Sequence, residues 1–205
     1  MTGIVVLISG RGSNMRALVE QGLPVRAVIS NRSDAAGLAY ARGRGLPAIA
    51  VDHRAFASRA SFDDALIQAI DRFDPQCVVL AGFMRILTEG FVCHYDGRLL
   101  NIHPSLLPSF PGLDTHARAL KAGVKLHGAT VHLVTSDLDM GPIVLQAAVP
   151  VLRDESASHL ADRVLAQEHR ILPIAVRWLL DGRIDVADGI VRVTGDPPQW
   201  MFDPG

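Results

Sequence analysis

Residues 99–120 read LLNIHPSLLPSFPGLDTHARAL and divide the chain into two parts with different patterns. An apolar run from Leu99 to Ile102 is typical of a buried strand. His103-Pro104 should end it, because proline lacks an N–H and disfavours helical geometry in the residue before it. Asn101 and His103 are alternate residues, so an extended backbone directs both side chains to the same side. The stretch therefore predicts an amide and a titratable imidazole together at a strand end, where open α/β sheets place their chemistry.

Short apolar runs alternate with helical patterns before this stretch. Buried strands are predicted at Ile4–Ile8, Val25–Ser30, Ala48–Val51 and Cys77–Ala81. Helices are predicted at Met15–Gln21, Ala35–Arg44 and Ser61–Phe73, the last beginning at a capping signal formed by Ser61 and Asp64. This alternation predicts a parallel sheet with right-handed crossovers.

The pattern changes after the stretch. Two extended runs, residues 125–134 and 143–151, flank a turn and predict an antiparallel pair. One long helix with an expected kink at Pro173 is predicted over Ser156–Asp181, then a small hairpin over Ile184–Arg192 and a loose tail from Asp196. The fold class is therefore predicted to be α/β, a mainly parallel, doubly wound, Rossmann-like sheet extended by antiparallel strands.

Composition favours one soluble domain spanning 1–205. The hydrophobic content of 49% supports a sizeable core, and the net charge of −1 creates no field that would recruit nucleic acid or an anionic membrane. The two cysteines, Cys77 and Cys93, have no zinc-ligand spacing, which indicates a reducing, cytoplasmic setting. The apolar start, Ile4–Ile8, is too short to span a bilayer and lacks a basic flank, so neither a signal peptide nor a membrane anchor is expected.

A glycine-rich turn follows the first strand. The residues from Gly10 to Met15 read GRGSNM, which lacks the third glycine of a dinucleotide fingerprint and the lysine of a P-loop. Such a turn still presents backbone N–H groups and the positive end of a helix dipole, so it predicts a phosphate-sized anion site. The alternative is a simple capped turn between strand and helix.

A second loop, Gly82–Leu87, stays apolar where a solvated connection would be polar. It either packs against the protein or contacts an apolar ligand. Four other histidines match no metal-ligand spacing and are interpreted as structural or peripheral: His94, His116, His127 and His132.

Five motifs, in this order and spacing, resemble the phosphoribosylglycinamide formyltransferases, which use 10-formyltetrahydrofolate. They are SGRGSN at 9–14, AGFMRIL at 81–87, NIHPSLLP at 101–108, HGAT at 127–130 and DLDMGP at 137–142. The resemblance covers essentially the whole chain. It implies formyl transfer to glycinamide ribonucleotide in purine synthesis, with a nucleotide-binding half (1–100), a folate and catalytic half (101–195) and a tail (196–205).

The resemblance also implies roles for individual residues. The catalytic trio would be Asn101, His103 and Asp139. The substrate would be bound at its phosphate and ribose by Gly12, Ser13, Asn14 and Glu168. The folate would contact Arg59, Met84, Arg85, Ile86 and Leu87, together with Asn101, Asp137, Leu138 and Asp139. Three positions depart from the family pattern, Met140, Asp114 and Leu165, and the family's cis peptide bond is expected at Leu107–Pro108.

The chemistry of the trio can be argued from the residue types. An amine attacking a formyl carbon produces a tetrahedral intermediate with oxyanion character, which fixed donors stabilise. Asn101 can donate through its amide, and protonated His103 can donate with charge assistance. Asp139 would favour protonated His103 and accept or relay the proton that the amine loses. No metal is required.

The sequence leaves other functions open. Methionyl-tRNA formyltransferase and formyltetrahydrofolate hydrolase share the folate pocket but would carry a further domain. A non-catalytic nucleotide-binding module would explain the glycine loop and not the Asn–His pair. We expect small-molecule substrates, no nucleic acid or membrane partner, and a monomer or homodimer.

Overall fold

The computed structural model describes residues 3–204, which form two compact units. The first comprises the described residues up to Asn101, and the second comprises those from Ile102. Within the described part of the chain, no helix is both long and apolar enough to cross a membrane.

The first unit contains a parallel sheet with the strand order β3-β2-β1-β4-β5. Its strands are β1 (Ile4–Ile8), β2 (Val25–Ser30), β3 (Ala48–Ala50), β4 (Cys77–Leu80) and β5 (Leu99–His103), the last continuing into the second unit. All five residues of β1 and all four of β4 are buried, as expected for strands covered on both faces.

Four helices connect these strands. They are α1 (Ser13–Glu20), α2 (Ala36–Gly43), α3 (Arg59–Asp71) and α4 (Glu89–His94), and a short 3₁₀ turn lies at His53–Ala55. The predicted start of α3 was wrong. Ser58 and not Ser61 is the N-cap, because the Ser58 hydroxyl accepts from the Ser61 N–H while the Ser61 hydroxyl accepts from the Ser58 N–H.

The second unit contains the antiparallel strands β6 (Leu126–Leu133) and β7 (Ile143–Pro150), which confirms the predicted pair. The helix α5 (Thr115–Ala122) precedes them. The long helix α6 (Ala157–Leu180) packs on both strands and continues through Pro173. Strands β8 (Ile184–Ala187) and β9 (Ile190–Val193) form the predicted hairpin.

The C-terminal segment is ordered as a strand. β10 (Trp200–Phe202) pairs in parallel with β7, so the loose tail predicted from Asp196 was wrong. The Gln146 N–H donates to the Gln199 carbonyl and the Asp203 N–H donates to the Ala148 carbonyl, so backbone hydrogen bonds hold this segment at both ends.

Candidate active site

A cavity of about 420 Å³ opens in the first unit where β1, β2 and β4 end. Carboxyl ends of parallel strands meet at one edge of a sheet, so the loops that follow them converge there. The cavity is lined by Ser9, Gly10, Arg11, Gly12, Ser13, Asn14, Asn31, Arg32, His53, Ala81, Gly82, Met84 and Arg85. The structure therefore brings the predicted phosphate residues together with two predicted folate residues, Met84 and Arg85.

Gly12 gives the phosphate loop its shape. It is the N-cap of α1 and has a φ of 71°, in the left-handed region that favours glycine. A Cβ here would lie 3.0 Å from Met15 Cε and 3.3 Å from Gly37 Cα. No side chain caps the helix, so its positive end remains available to an anion, and Arg11 and Arg32 add positive charge to the same cavity.

A buried serine connects two loops of this cavity. The Ser9 hydroxyl donates to Asn31 Oδ1 at 2.6 Å and accepts the Met84 N–H at 2.7 Å. His53 Nδ1 donates to the Asn31 carbonyl at 2.9 Å. The sequence analysis assigned no role to Ser9, Asn31 or His53. Ser9 and Asn31 each directly follow a predicted strand and could have been found by that position.

The apolar loop after β4 buries Phe83 but leaves two other large apolar side chains exposed. Met84 is 70% exposed and Ile86 is 55% exposed, which favours the ligand-contact interpretation over packing. The Arg85 guanidinium lies over the Phe62 ring, 5.9 Å from its centroid. Leu87 is half-buried, and the exposed Arg59 is the first residue of α3 and does not line this cavity.

His103 and Asp139 form a buried pair in the second unit. His103 Nδ1 lies 3.5 Å from Asp139 Oδ2, and the two side chains are 8% and 7% exposed. His103 Nε2 lies 3.1 Å from the Phe110 carbonyl, which can only accept, so Nε2 carries a proton. Nδ1, the other ring nitrogen, faces the Asp139 carboxylate, so these two partners fix the orientation of the ring.

Asp139 has two further neighbours. The Gly112 N–H donates to Oδ2 at 2.8 Å, and His132 Nε2 lies 3.9 Å from Oδ1. His132 is buried and its Nδ1 donates to the Leu133 carbonyl, while burial lowers the pKa of its ring. The sequence interpretation that grouped His132 with peripheral histidines missed this contact, because the strand spacing does not reveal which side chain the Asp139 turn approaches.

The Asp139 turn holds the carboxylate by an uncommon backbone conformation. Asp139 has a φ of 56°, a left-handed value that aspartate tolerates better than most residues. Leu138 is exposed, whereas Asp137 and Met140 line a separate cavity of about 630 Å³. Neither His103 nor Asp139 lines that cavity, so it is distinct from the buried pair.

Asn101 and Glu168, the other predicted site residues, belong to the first and second units respectively. Asn101 is half-buried on β5, where it pairs with Leu80, two residues before His103. Glu168 is buried near the middle of α6. The expected cis peptide bond is present at Leu107–Pro108. Among residues 3–204, no group of three or more histidine, cysteine, aspartate or glutamate side chains is arranged to hold a metal ion.

Most of the chain matches a known protein family. The model of the formyl transferase family matches residues 2–176. Phosphoribosylglycinamide formyltransferase of Escherichia coli is 49% identical over 205 residues, with 96% of each chain covered. The chain belongs to the formyl transferase family. A second member, phosphoribosylglycinamide formyltransferase of Haemophilus influenzae, is 38% identical with 95% of each chain covered.

Solved structures of formyl transferases share the fold. Phosphoribosylglycinamide formyltransferase of Coxiella burnetii, in complex with CHES, has a TM-score of 0.92 and 45% identity over 98% of this chain and 99% of its own. Glycinamide ribonucleotide transformylase 1 of Symbiobacterium toebii has a TM-score of 0.91 and 46% identity over 94% of each chain. The predicted family, fold class and formyl transferase activity are thereby confirmed.

Proposed function

We propose that this formyl transferase uses Asn101, His103 and Asp139 to move the formyl group of 10-formyltetrahydrofolate to the amine of glycinamide ribonucleotide, giving formylglycinamide ribonucleotide. The donor and the acceptor are those of the phosphoribosylglycinamide formyltransferases that the chain resembles over its length. The observation that carries the assignment of residues is the buried His103–Asp139 pair.

The substrate phosphate would bind at the glycine loop. Gly12, Ser13 and Asn14 stand at the uncapped N-terminus of α1, in a cavity that also holds the Arg11 and Arg32 side chains. Backbone N–H groups at a helix N-terminus suit an anion of this size. Glu168, a buried carboxylate on α6, would accept hydrogen bonds from the ribose hydroxyls.

The folate would contact exposed apolar side chains of two loops. Met84 and Ile86 in the first unit, and Leu138 in the second, are large hydrophobic residues that remain exposed in the structure. Arg85, Leu87, Arg59 and Asp137 complete the proposed set, and the two arginines suit the anionic end of a folate.

The reaction forms one carbon–nitrogen bond and breaks another. The substrate amine attacks the formyl carbon, and the carbonyl oxygen becomes an oxyanion to which the Asn101 amide would donate. Protonated His103 would donate to it as well, with the oxyanion taking the place of the Phe110 carbonyl as the acceptor at Nε2. The amine must lose a proton and the folate nitrogen must gain one. Asp139, fixed against His103, would accept the first proton and pass it on, directly or through water.

An acceptor assay tests the proposed function. The protein is supplied with 10-formyltetrahydrofolate and either glycinamide ribonucleotide, water alone or charged initiator tRNA. We expect formyl transfer only to the ribonucleotide, and its rate to fall about a hundred- to ten-thousandfold in the double variant His103→Asn with Asp139→Asn. Preferential formylation of tRNA or hydrolysis in water would overturn the proposal. We also propose a single domain over 1–205, a cytoplasmic location, no nucleic-acid or membrane partner, and a monomer or homodimer.

A further inference from the structure

A buried polar cluster in the second unit holds the loop that follows His103. The Leu107 N–H donates to Thr130 Oγ1 at 3.1 Å, and the Leu107 carbonyl accepts from Gln146 Nε2 at 2.9 Å. Both hydrogen-bonding groups of this residue are therefore bound by side chains of neighbouring strands. Neither hydrogen bond involves a residue of the predicted catalytic trio.

Thr130 and Gln146 act as a pair because they face each other. They are register partners in the antiparallel strands β6 and β7, so their side chains project from the same face of the sheet. Gln146 Nε2 also donates to Thr130 Oγ1 at 3.0 Å, and Thr130 Oγ1 donates to the Ser105 carbonyl at 2.7 Å. The threonine hydroxyl thus uses its one donor and both acceptor positions.

The threonine end of the cluster is shielded from water, whereas Gln146 itself is half-buried. Thr130 and Ser105 are fully buried, and Leu107 is nearly so. Buried polar groups that lose a partner stay unsatisfied, so removing either side chain would release the loop or force it to move. The backbone of Gln146 is itself anchored, since its N–H donates to the Gln199 carbonyl beside β10.

The same loop carries the two backbone groups that orient the catalytic pair. The Ser105 hydroxyl donates to the Ser109 carbonyl at 2.7 Å, which stiffens the turn beyond Leu107. The carbonyl of the next residue, Phe110, accepts a hydrogen bond from His103 Nε2, and the Gly112 N–H donates to Asp139 Oδ2. A displacement of residues 105–112 would therefore move the acceptor of one catalytic group and the donor of the other.

We propose that Thr130 and Gln146 are positioning residues that orient His103 and Asp139 through the backbone of residues 105–112. They touch neither reacting group and act by holding the loop in one conformation. This inference rests on the roles proposed above for His103 and Asp139. Misplacement of catalytic groups by about 1 Å can lower rates about a hundredfold, so a small shift of the loop is enough to be measured.

The test compares Gln146→Met with a matched control, Gln199→Met. Both changes remove a glutamine Nε2 that donates to a backbone carbonyl at 2.9 Å in the second unit, Leu107 in one case and Val144 in the other. We expect kcat to fall about ten- to a hundredfold in Gln146→Met and to stay near the wild-type value in Gln199→Met. The KM for glycinamide ribonucleotide should change little in either variant.

Two readouts separate positioning from general stability. The pH profile of kcat and the ¹⁵N shifts of the His103 ring should change in Gln146→Met and not in Gln199→Met. Thr130→Val should behave like Gln146→Met, and Thr130→Ser should restore wild-type behaviour because it keeps the hydroxyl. If Thr130→Val fails to fold, the comparison of Gln146→Met, which should be impaired, with Thr130→Ser, which should not, still tests the inference.

The outcomes distinguish this inference from the function it rests on. If Gln146→Met keeps the wild-type kcat, pH profile and ring shifts while His103→Asn is impaired, the positioning role is wrong and the proposed function stands. If His103→Asn and Asp139→Asn both retain full activity, the catalytic assignment fails and the positioning role fails with it. An equal loss in Gln146→Met and Gln199→Met would show a structural effect only and would also overturn the inference.

Discussion

His103 Nδ1 faces Asp139 Oδ2 across 3.5 Å, while the opposite ring nitrogen of His103 is committed to the Phe110 carbonyl. The ring therefore cannot turn without losing one of its two partners. This arrangement holds an acid and a base side by side in a buried part of the second unit. The first prediction follows from it.

Removal of either member should slow the chemical step and leave binding largely intact. We expect Asp139→Asn and His103→Asn each to lower kcat about a hundred- to ten-thousandfold, as is typical of general acid–base groups. The KM values should change far less, because phosphate and folate are bound by other residues. Steady-state kinetics with both substrates measures this.

The double variant tells whether the pair acts as one unit. If it does, His103→Asn with Asp139→Asn should be little slower than the slower single variant. Effects that multiply would indicate independent roles. Wild-type activity in Asp139→Asn would remove that residue from the mechanism.

Gly12→Ala should weaken binding of glycinamide ribonucleotide and leave folate binding nearly unchanged. The added Cβ would lie 3.0 Å from Met15 Cε at a φ of 71°, so the loop must shift where the phosphate is expected. Isothermal titration with each ligand checks this. Gly22→Ala is the matched control, since its φ is 73° and a Cβ there would meet nothing within 4 Å.

Both glycine variants should lose about 1–2 kcal/mol of stability for a side chain in the left-handed region, and Gly12→Ala should lose more because only its Cβ meets close neighbours. Only Gly12→Ala should lose affinity for the ribonucleotide. An equal loss of affinity in both variants would contradict the phosphate assignment. A parallel loss of folate binding in Gly12→Ala would indicate damage to the fold.

Stability should decrease in mild acid because of His127. Burial is the main cause that lowers the pKa of its ring to about 4, and the nearby His116 and His103 contribute. A base with a lowered folded-state pKa binds its proton more readily in the unfolded state. Stability is therefore full above the unfolded pKa of about 6.5 and is lost as the pH falls toward 4.

The size of this loss is roughly 3 kcal/mol for His127 alone, from about 1.4 kcal/mol per unit of pKa difference. Urea unfolding midpoints measured across this pH range check it. His127→Leu should flatten the dependence, whereas His159→Leu, a change at an exposed histidine of the same unit, should not. An unchanged slope in His127→Leu would rule out this origin of acid sensitivity.

Chelation should leave the activity unchanged. The donors proposed for the oxyanion are the Asn101 amide and the His103 imidazole, and the proposed proton acceptor is Asp139, so no step needs a Lewis acid. Assays after dialysis against EDTA check this. A loss of kcat that added divalent cation restores would contradict the mechanism.

The buried strands could be predicted from the local sequence pattern. The bounds of some other elements, and the presence of a few, could not. β1 and β2 begin and end where the sequence predicts, because each is mostly apolar and is bounded by residues that disfavour strands, Gly3 and Ser9 for β1 and Pro24 and Asn31 for β2. α4 has six residues, fewer than two helical turns, so it produces no clear helical period. β10 is defined by backbone pairing to β7, which leaves no signature in three residues.

Only those site residues that lie in family motifs could be predicted from the sequence. Asn101, His103 and Asp139 were found through the family resemblance, and their roles remain predictions. Thr130 was noted only as part of the HGAT motif and Gln146 not at all, because their proposed role depends on which residues two strands place opposite each other. Such contacts join residues far apart in the chain, and no local spacing encodes them.

Trp200 on β10 is an intrinsic fluorophore beside the pairing of β10 with β7. The chain has two tryptophans: Trp178 is largely buried on α6, and Trp200 is 67% exposed on β10. A collisional quencher should therefore act mainly on the Trp200 emission. Its emission is sensitive to separation of β10 from β7, at the strand position that carries Gln146. Quenching measured during substrate binding would follow that edge of the second unit in solution, without any added label.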